Sequence, residues 1–200
     1  MSRQINRIVI LLLAALLLSE LIVAQSPHVE VLTSGTKSSL RGLSVVNDNV
    51  VWVSGSNGTF GRTTDGGKTW KWSVVKGFEK NDFRDIEAFD ANTAIVMSVD
   101  APAYILKTNN GGESWKIVYE NKTKGMFLDA MEFWNEQAGI VIGDPVEGRF
   151  FIARTFDGGI SWQDIPFEKR PVADSGEACF AASGTNVRVF RARSDGGPCR

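Results

Sequence analysis

The chain has 200 residues, 43% of them hydrophobic, and a formal net charge of −1 with both signs interspersed. This balance gives no reason to propose nucleic acid as a partner. His28 is the only histidine in the sequence. Zinc sites built on Cys/His clusters and histidine-based catalytic triads are therefore excluded, and the sequence predicts no metal and no cofactor.

The first 24 residues have the form of a secretory signal peptide. Arg3 and Arg7 precede an apolar run, and the segment ends at the small residue Ala24. The pattern predicts cleavage after Ala24 and a periplasmic or secreted mature protein. An uncleaved anchor is the alternative, and it would be the only part of the chain to contact a membrane. Glu20 favours cleavage, because a carboxylate is costly in the middle of a bilayer.

One short pattern, Thr-x-Asp/Asn-x-Gly-x-Thr/Ser-Trp, occurs three times in the chain. Its third positions are separated by 45 and then by 47 residues, a period that indicates one repeated supersecondary unit. We interpret each copy as a hairpin turn in which the Asp or Asn bonds the main chain, glycine supplies a positive φ, and Trp anchors the next strand. Because Asn110 replaces Asp in the second copy, the position is structural, not catalytic. The structural residues are Thr63, Asp65, Gly67, Trp70, Thr108, Asn110, Gly112, Trp115, Thr155, Asp157, Gly159 and Trp162.

Short β-rich runs surround each copy, four to a unit, with turn residues between them. Such a unit predicts an all-β fold, a β-propeller of four-stranded antiparallel blades. Within residues 29–190 we place three complete blades and a partial fourth. Aligning the first strands of the blades puts Arg41, Arg84 and Leu128 at equivalent positions. The predicted blades are 40–76, 83–120, 127–166 and, in part, 177–190.

The two ends of the chain depart from the repeat. Residues 191–200 form an atypical tail with a Ser-Asp-Gly-Gly that lacks the Trp. This tail is either a decayed fourth turn or the product of a disrupted reading frame, and we expect a truncated ring. Residues 29–32 resemble a single strand without its own blade. Either Cys179 and Cys199 form a disulfide, or Cys179 is a buried free thiol and Cys199 has no structural role.

The repeated pattern is the Asp box, or bacterial neuraminidase repeat. Its longer form at residues 62–70, together with Gly-Asp-Pro-Val-Glu-Gly-Arg-Phe-Phe at 143–151, resembles the photosystem II assembly/stability factor-like propellers. The resemblance extends over about residues 29–190. It implies the fold more strongly than the function, because Asp boxes also occur in sialidases and in sortilin-like receptors.

The first functional hypothesis is an exported, non-catalytic scaffold that binds or helps to assemble another protein. The resemblance implies that an arginine-rich face contacts the client protein. Arg41 and Arg84 are the candidates, because two guanidinium groups on neighbouring blades can bind a carboxylate or a peptide C-terminus. The alternative is that both arginines pair with nearby acids such as Asp85 and Asp129.

The second hypothesis is a glycoside hydrolase of the sialidase type, with a carbohydrate as partner. That chemistry uses an arginine triad, a Tyr–Glu nucleophile pair and an Asp acid/base. Asp144 and Glu147 are the best-placed carboxylates, and Asp144 is also a binding candidate. Tyr104 and Tyr119 are the only tyrosines, and we expect them near the outer strands. We therefore favour the non-catalytic scaffold.

Overall fold

The computed structural model describes residues 30–31, 35–179 and 187–188. The chain divides into two units after Val31, and all the strands given below lie in the second. The predicted signal peptide, most of the partial fourth blade, the atypical tail and Cys199 lie outside the described residues, as do parts of the strand expected at 29–32. Within the described residues, no helix has the length and apolar character to cross a membrane.

The described strands form three four-stranded antiparallel sheets, in each of which the strands pair in chain order. This confirms the all-β fold with four-stranded antiparallel blades. A 3-10 turn at Phe167–Lys169 follows the third sheet. The first blade contains β1 (Leu40–Val45), β2 (Val51–Gly55), β3 (Thr59–Thr63) and β4 (Lys71–Val74); the second contains β5 (Phe83–Ala88), β6 (Ala94–Ser98), β7 (Ala103–Thr108) and β8 (Lys116–Asn121); the third contains β9 (Leu128–Phe133), β10 (Gly139–Val146), β11 (Arg149–Thr155) and β12 (Gln163–Asp164).

Each Asp box is the turn between the third and fourth strands of its blade. In the first box, the hydroxyl of Thr63 accepts the N–H of Gly67 at 2.9 Å, and the Asp65 carboxylate accepts the N–H and hydroxyl of Thr69 at 2.9 and 2.6 Å. Gly66 and Gly67 adopt φ values of 71° and 86°, which favour glycine. Bonds from Thr69 and Thr63 lower the pKa of Asp65 to about 2.

Two apolar clusters fill the spaces between neighbouring blades. Between the first two blades, the Trp115 ring makes edge contacts with Phe60 and Trp52 at centroid distances of 5.3 and 6.5 Å. Between the second and third, a Cβ at Gly159 would meet the side chain of Ile95 at 2.3 Å, so the third box lies directly against the second blade. The boxes of the second and third blades thus close against the blade that precedes them.

The innermost strands β1, β5 and β9 lie next to one another, and each carries a β-bulge at the same place. At the bulge of each strand, one residue has no partner on the neighbouring strand. These residues are Arg41, Arg84 and Asp129. The equivalence that we predicted between the two arginines and Leu128 is therefore wrong by one residue. Leu128 pairs with Gly143 as Phe83 pairs with Ser98, and its side chain is buried in the core.

Candidate functional site

The three bulge residues mark one end of the inner strands as the candidate site. A bulge leaves one residue outside the ladder and re-aims its side chain, which is why bulges are common beside functional sites. Here the bulges place two arginines and one aspartate at equivalent positions of successive blades. The structure thus produces a site with a cationic side on the first two blades and an acidic side on the third.

Arg84 extends from the second blade toward the third. Its Nε donates to a carboxylate oxygen of Asp82 at 3.0 Å, and its guanidinium carbon lies 5.8 Å from the centre of the Phe127 ring. Both partners of this ion pair are about a quarter exposed. Asp82 and Phe127 therefore orient a guanidinium that keeps access to solvent.

Arg41 is half-buried on the first blade, and its Nε is buried without a hydrogen-bond partner among the described residues. Asp85, one of the two acids considered as partners for the arginines, accepts main-chain bonds: its carboxylate accepts the N–H of Ile86 at 2.9 Å and that of Met131 at 2.7 Å. Asp85 thus ties the second blade to the third. The Nε of Arg41 is thus a donor that no acceptor in the described part of the chain uses.

A row of acids continues along the inner strands beyond the bulges. Burial raises the pKa of Asp85 to about 7, against the two hydrogen bonds that lower it. Burial and the charge of Asp85 raise the pKa of Glu87 to about 8. Glu132 on the third blade accepts a bond of 2.9 Å from Arg188. Of these groups, Asp85 and Glu87 have pKa values raised into the neutral range.

Asp129 differs from the two arginines because it is fully buried. Neither of its carboxylate oxygens has a hydrogen-bond partner among the described residues. Burial, followed by the nearby charge of Asp144, raises the pKa of Asp129 to about 7. The main-chain N–H of Asp144 donates to the carbonyl oxygen of Phe127 at 2.9 Å. The same N–H and the charge of Arg84 act to lower the pKa of Asp129, but they do not offset its burial.

Asp144 is also a bulge residue, unpaired between Gly143 and Pro145 where β10 meets β11. Its carboxylate accepts the N–H of Cys179 at 2.8 Å. Burial and the charges of Asp129 and Asp144 raise the pKa of the Cys179 thiol to about 11. Asp129, Asp144 and Cys179 each offer a ligand atom, and these atoms lie within 4.8 Å of one another.

The residues considered for glycoside hydrolysis lie in different local environments. Glu147 lies in the exposed hairpin turn between β10 and β11, with a φ of 54°, whereas Asp144 is partly buried beside Cys179. The hydroxyl of Tyr119 donates to Asp164 at 2.7 Å, and burial raises its pKa. Tyr104 lies on β7, the third strand of its blade. The described residues do not bring these groups into one constellation.

Two clefts lie farther out, beside the Asp boxes. One, of about 390 Å³, is bordered by β4 and the second box, and the other, of about 420 Å³, by β8 and Ile160 of the third box. Neither cleft includes a bulge residue. The two clefts occupy equivalent places on successive blades, because each lies where one Asp box packs against the preceding blade.

Sequence reasoning missed Asp129 and Cys179 as members of the site. The signal for Asp129 was present, because shifting the third repeat by one residue aligns an acid with Arg41 and Arg84. A repeat alignment without gaps cannot include a shift of this kind. Cys179 carried no signal, since it is positioned by its main-chain bond to Asp144 and not by any motif.

A family model and two similar solved structures identify the family of this chain. The family model described as "Photosynthesis system II assembly factor YCF48" matches residues 22–125, just over half of the chain. No curated protein matches the chain.

Two solved structures of that family are similar to the chain in fold. The structure of YCF48 bound to D1 peptide has 23% identity and a TM-score of 0.51, with 65% of this chain and 41% of that chain covered. YCF48 from Cyanidioschyzon merolae has 22% identity and a TM-score of 0.50, with 66% and 41% covered. The chain thus spans about two fifths of the length of these relatives. It belongs to the YCF48 family of photosystem II assembly factor-like, Asp-box β-propellers.

Proposed function

We propose that this protein is a non-catalytic scaffold that binds a segment of another protein at the bulge end of its inner strands. The observation that carries the proposal is the repeated bulge, which places Arg41 and Arg84 at equivalent positions of neighbouring blades. The family supports it, since one solved YCF48 structure holds a D1 peptide. Because the chain spans about two fifths of that relative, peptide binding by this chain is part of the proposal.

The two guanidinium groups suit a carboxylate, either a peptide C-terminus or an acidic side chain. Arginine presents a planar fork of donors that matches a carboxylate in a two-bond geometry. Arg84 is already oriented by Asp82, and Arg41 retains a buried Nε without a partner among the described residues. Asp129, at the third equivalent position, gives the site an acidic end. A bound segment is therefore oriented with its negative end toward the first two blades.

Site-specific photo-cross-linking in cells tests where the client binds. A photoreactive amino acid replaces exposed Ser39, two residues before Arg41, and in a control it replaces exposed Lys116 on the outer strand β8. We expect one protein to be captured from position 39 and not from position 116. The double variant Arg41→Glu/Arg84→Glu should abolish the capture. Equal capture from both positions, or capture unaffected by the double variant, would refute the proposal.

We also propose that the protein is exported. The support is the form of residues 1–24, with two arginines before an apolar run and a small residue at the end. The test is the N-terminal sequence of the protein recovered from the periplasm or medium of the cells that make it. A start at Gln25 is expected, and full-length protein confined to the cytoplasm would contradict export.

A further inference from the structure

We propose that Asp129, Asp144 and Cys179 form a binding site for a divalent cation of the zinc class, beside the bulge end of the third blade. The sequence predicts no metal, because it lacks a Cys/His cluster. The structure instead assembles two carboxylates and one thiol whose ligand atoms all lie within 4.8 Å of one another. The site shares Asp129 with the proposed client-binding site, but the titration below is made without a client protein, so either proposal can fail alone.

The backbone builds the cluster with two successive bulges. Asp129 is the unpaired residue where β9 meets β10, and Asp144 is the unpaired residue where β10 meets β11. The segment that carries Cys179 is fixed to the same place, since its N–H donates to the Asp144 carboxylate at 2.8 Å. Three separate parts of the chain therefore hold their ligand atoms together through main-chain geometry.

The observation that points to a ligand is the buried, unpartnered carboxyl group of Asp129. The residue is 0% exposed, and both of its oxygens lack a hydrogen-bond partner among the described residues. An unsatisfied buried carboxylate is costly unless a proton, a cation or a metal ion compensates its charge. The guanidinium of Arg84 lies in the neighbourhood, and its Nε donates to Asp82. Both oxygens of Asp129 therefore keep lone pairs that can bind a metal ion.

The donor set selects the class of ion. A thiolate with carboxylates suits zinc and its spectroscopic substitute cobalt, whereas magnesium and calcium prefer oxygen ligands throughout. Zinc bonds to sulfur at about 2.3 Å and to carboxylate oxygen at about 2.0–2.2 Å, so ligand atoms this close need only a small adjustment. Three protein ligands leave a tetrahedral ion one position for water.

A metal ion binds the thiolate form of cysteine and the ionised form of a carboxylate. Its binding therefore competes with protons and strengthens as the pH rises, so the titration is made above neutral pH.

Cobalt titration of the reduced, full-length protein at pH 8 tests the site. We expect one equivalent of Co²⁺ to produce a thiolate-to-cobalt charge-transfer band together with visible bands of a low-coordinate ion, and Zn²⁺ to displace it. Cys179→Ser should remove the charge-transfer band. Asp129→Asn should weaken binding by about tenfold or more. In a parallel measurement, Zn²⁺ should raise the Tm of the unsubstituted protein and Mg²⁺ should not.

Two matched variants control for nonspecific binding. Cys199→Ser removes the other thiol, and Asp48→Asn removes an exposed carboxylate of the first blade. Both should retain the full cobalt spectrum. The proposal is overturned if no charge-transfer band forms, if the band persists in Cys179→Ser, or if Cys199→Ser also removes it. The Tm comparison on the unsubstituted protein decides the question even if a variant does not fold.

Discussion

Asn110 occupies in the second Asp box the position that Asp157 holds in the third. Its Oδ1 accepts the N–H of Ser114 at 3.0 Å, and its amide donates to the Ser114 hydroxyl at 2.9 Å. Asp157 accepts the N–H and hydroxyl of Ser161 at 2.9 and 2.6 Å. The direction of one bond differs: the Ser161 hydroxyl donates to the carboxylate, whereas the Ser114 hydroxyl accepts from the amide. Asp157 also accepts the N–H of Ile160 at 3.0 Å. The turn therefore requires an oxygen acceptor at this position, and a negative charge is dispensable.

A pair of substitutions tests this interpretation of the box. Asp157→Asn should change the free energy of unfolding by less than about 1 kcal/mol, because Asn reproduces the network. Asp157→Ala should cost about 1–2 kcal/mol, because several donors lose their acceptor. Urea unfolding at pH 7 measures both. Equal losses in the two variants would show that the charge, and not the acceptor, stabilises the turn.

The buried acids predict an unusual dependence of stability on pH. The pKa of Asp129 rises from the ordinary value of 3.8 to about 7 on folding, so between these values the folded state binds more protons than the unfolded state. Stability contributed by this group is present below pH 4 and is lost as the pH rises toward 7. Asp85 acts in the same direction. Asp65 and Asp157, with pKa values of about 2, oppose it only below pH 4.

Thermal unfolding in the presence of EDTA, from pH 4 to pH 8, measures this effect. We expect the Tm of the unsubstituted protein to fall across the range and that of Asp129→Asn to fall less, because the amide does not titrate. Asp164→Asn, at a half-exposed carboxylate of β12, serves as the control and should keep the original slope. Parallel curves for Asp129→Asn and the unsubstituted protein would contradict the buried, proton-binding state of Asp129.

At the scale of strands and blades, equivalent positions differ according to whether another blade covers them. Leu43 and Ile86 hold the same register position, opposite Val53 and Val96 on the next strand. Ile86 is 1% exposed between the first two blades, whereas Leu43 is 64% exposed on the first blade. The same place in the repeat is thus a core position in one blade and a surface position in another.

This difference gives a matched prediction for stability. Ile86→Ala should cost about 2–5 kcal/mol, since it removes a fully buried side chain and leaves a cavity. Leu43→Ala should change the free energy of unfolding by less than about 0.5 kcal/mol, because the side chain is largely in water. Chemical denaturation of the two variants decides the point. A large loss for Leu43→Ala would mean that this face is covered in solution.

The box tryptophans allow a second comparison between blades. Trp115 packs on Trp52 and Phe60 of the preceding blade, whereas Trp70 stacks on Trp72 of its own blade at 5.5 Å. Trp115→Ala should cost about 3 kcal/mol, the lower end for a large aromatic because the ring is half-buried. Trp70→Ala should cost less. The reverse order would show that boxes stabilise their own blade and not the junction between blades.

Across the whole described molecule, the sequence allowed the architecture to be predicted better than the site. The period of the Asp boxes and the apolar runs between them were sufficient for four-stranded blades, because each hairpin is determined by local turn chemistry. The bulges were not predicted, because a register shift in strand pairing is set by the backbone; the sequence showed only that a one-residue shift of the third repeat would align Asp129 with Arg84. The approach of Cys179 to Asp144 depends on a long-range main-chain bond that leaves no local pattern.

Client binding at the bulge end is best tested by changing the charge on both the protein and the peptide. A fluorescent peptide that contains the sequence captured by cross-linking is prepared with a free and with an amidated C-terminus. Its Kd is then measured by anisotropy for the unsubstituted protein, Arg41→Glu/Arg84→Glu and the control Arg154→Glu, whose exposed arginine lies on β11.

If the bulge arginines bind the terminal carboxylate, amidation should weaken binding by about tenfold or more. The double variant should lose the same factor and become insensitive to amidation, while Arg154→Glu behaves as the unsubstituted protein. If the protein carrying Arg41→Glu/Arg84→Glu binds as tightly as the original and still distinguishes the two peptides, the bulge end of the inner strands is not the binding site.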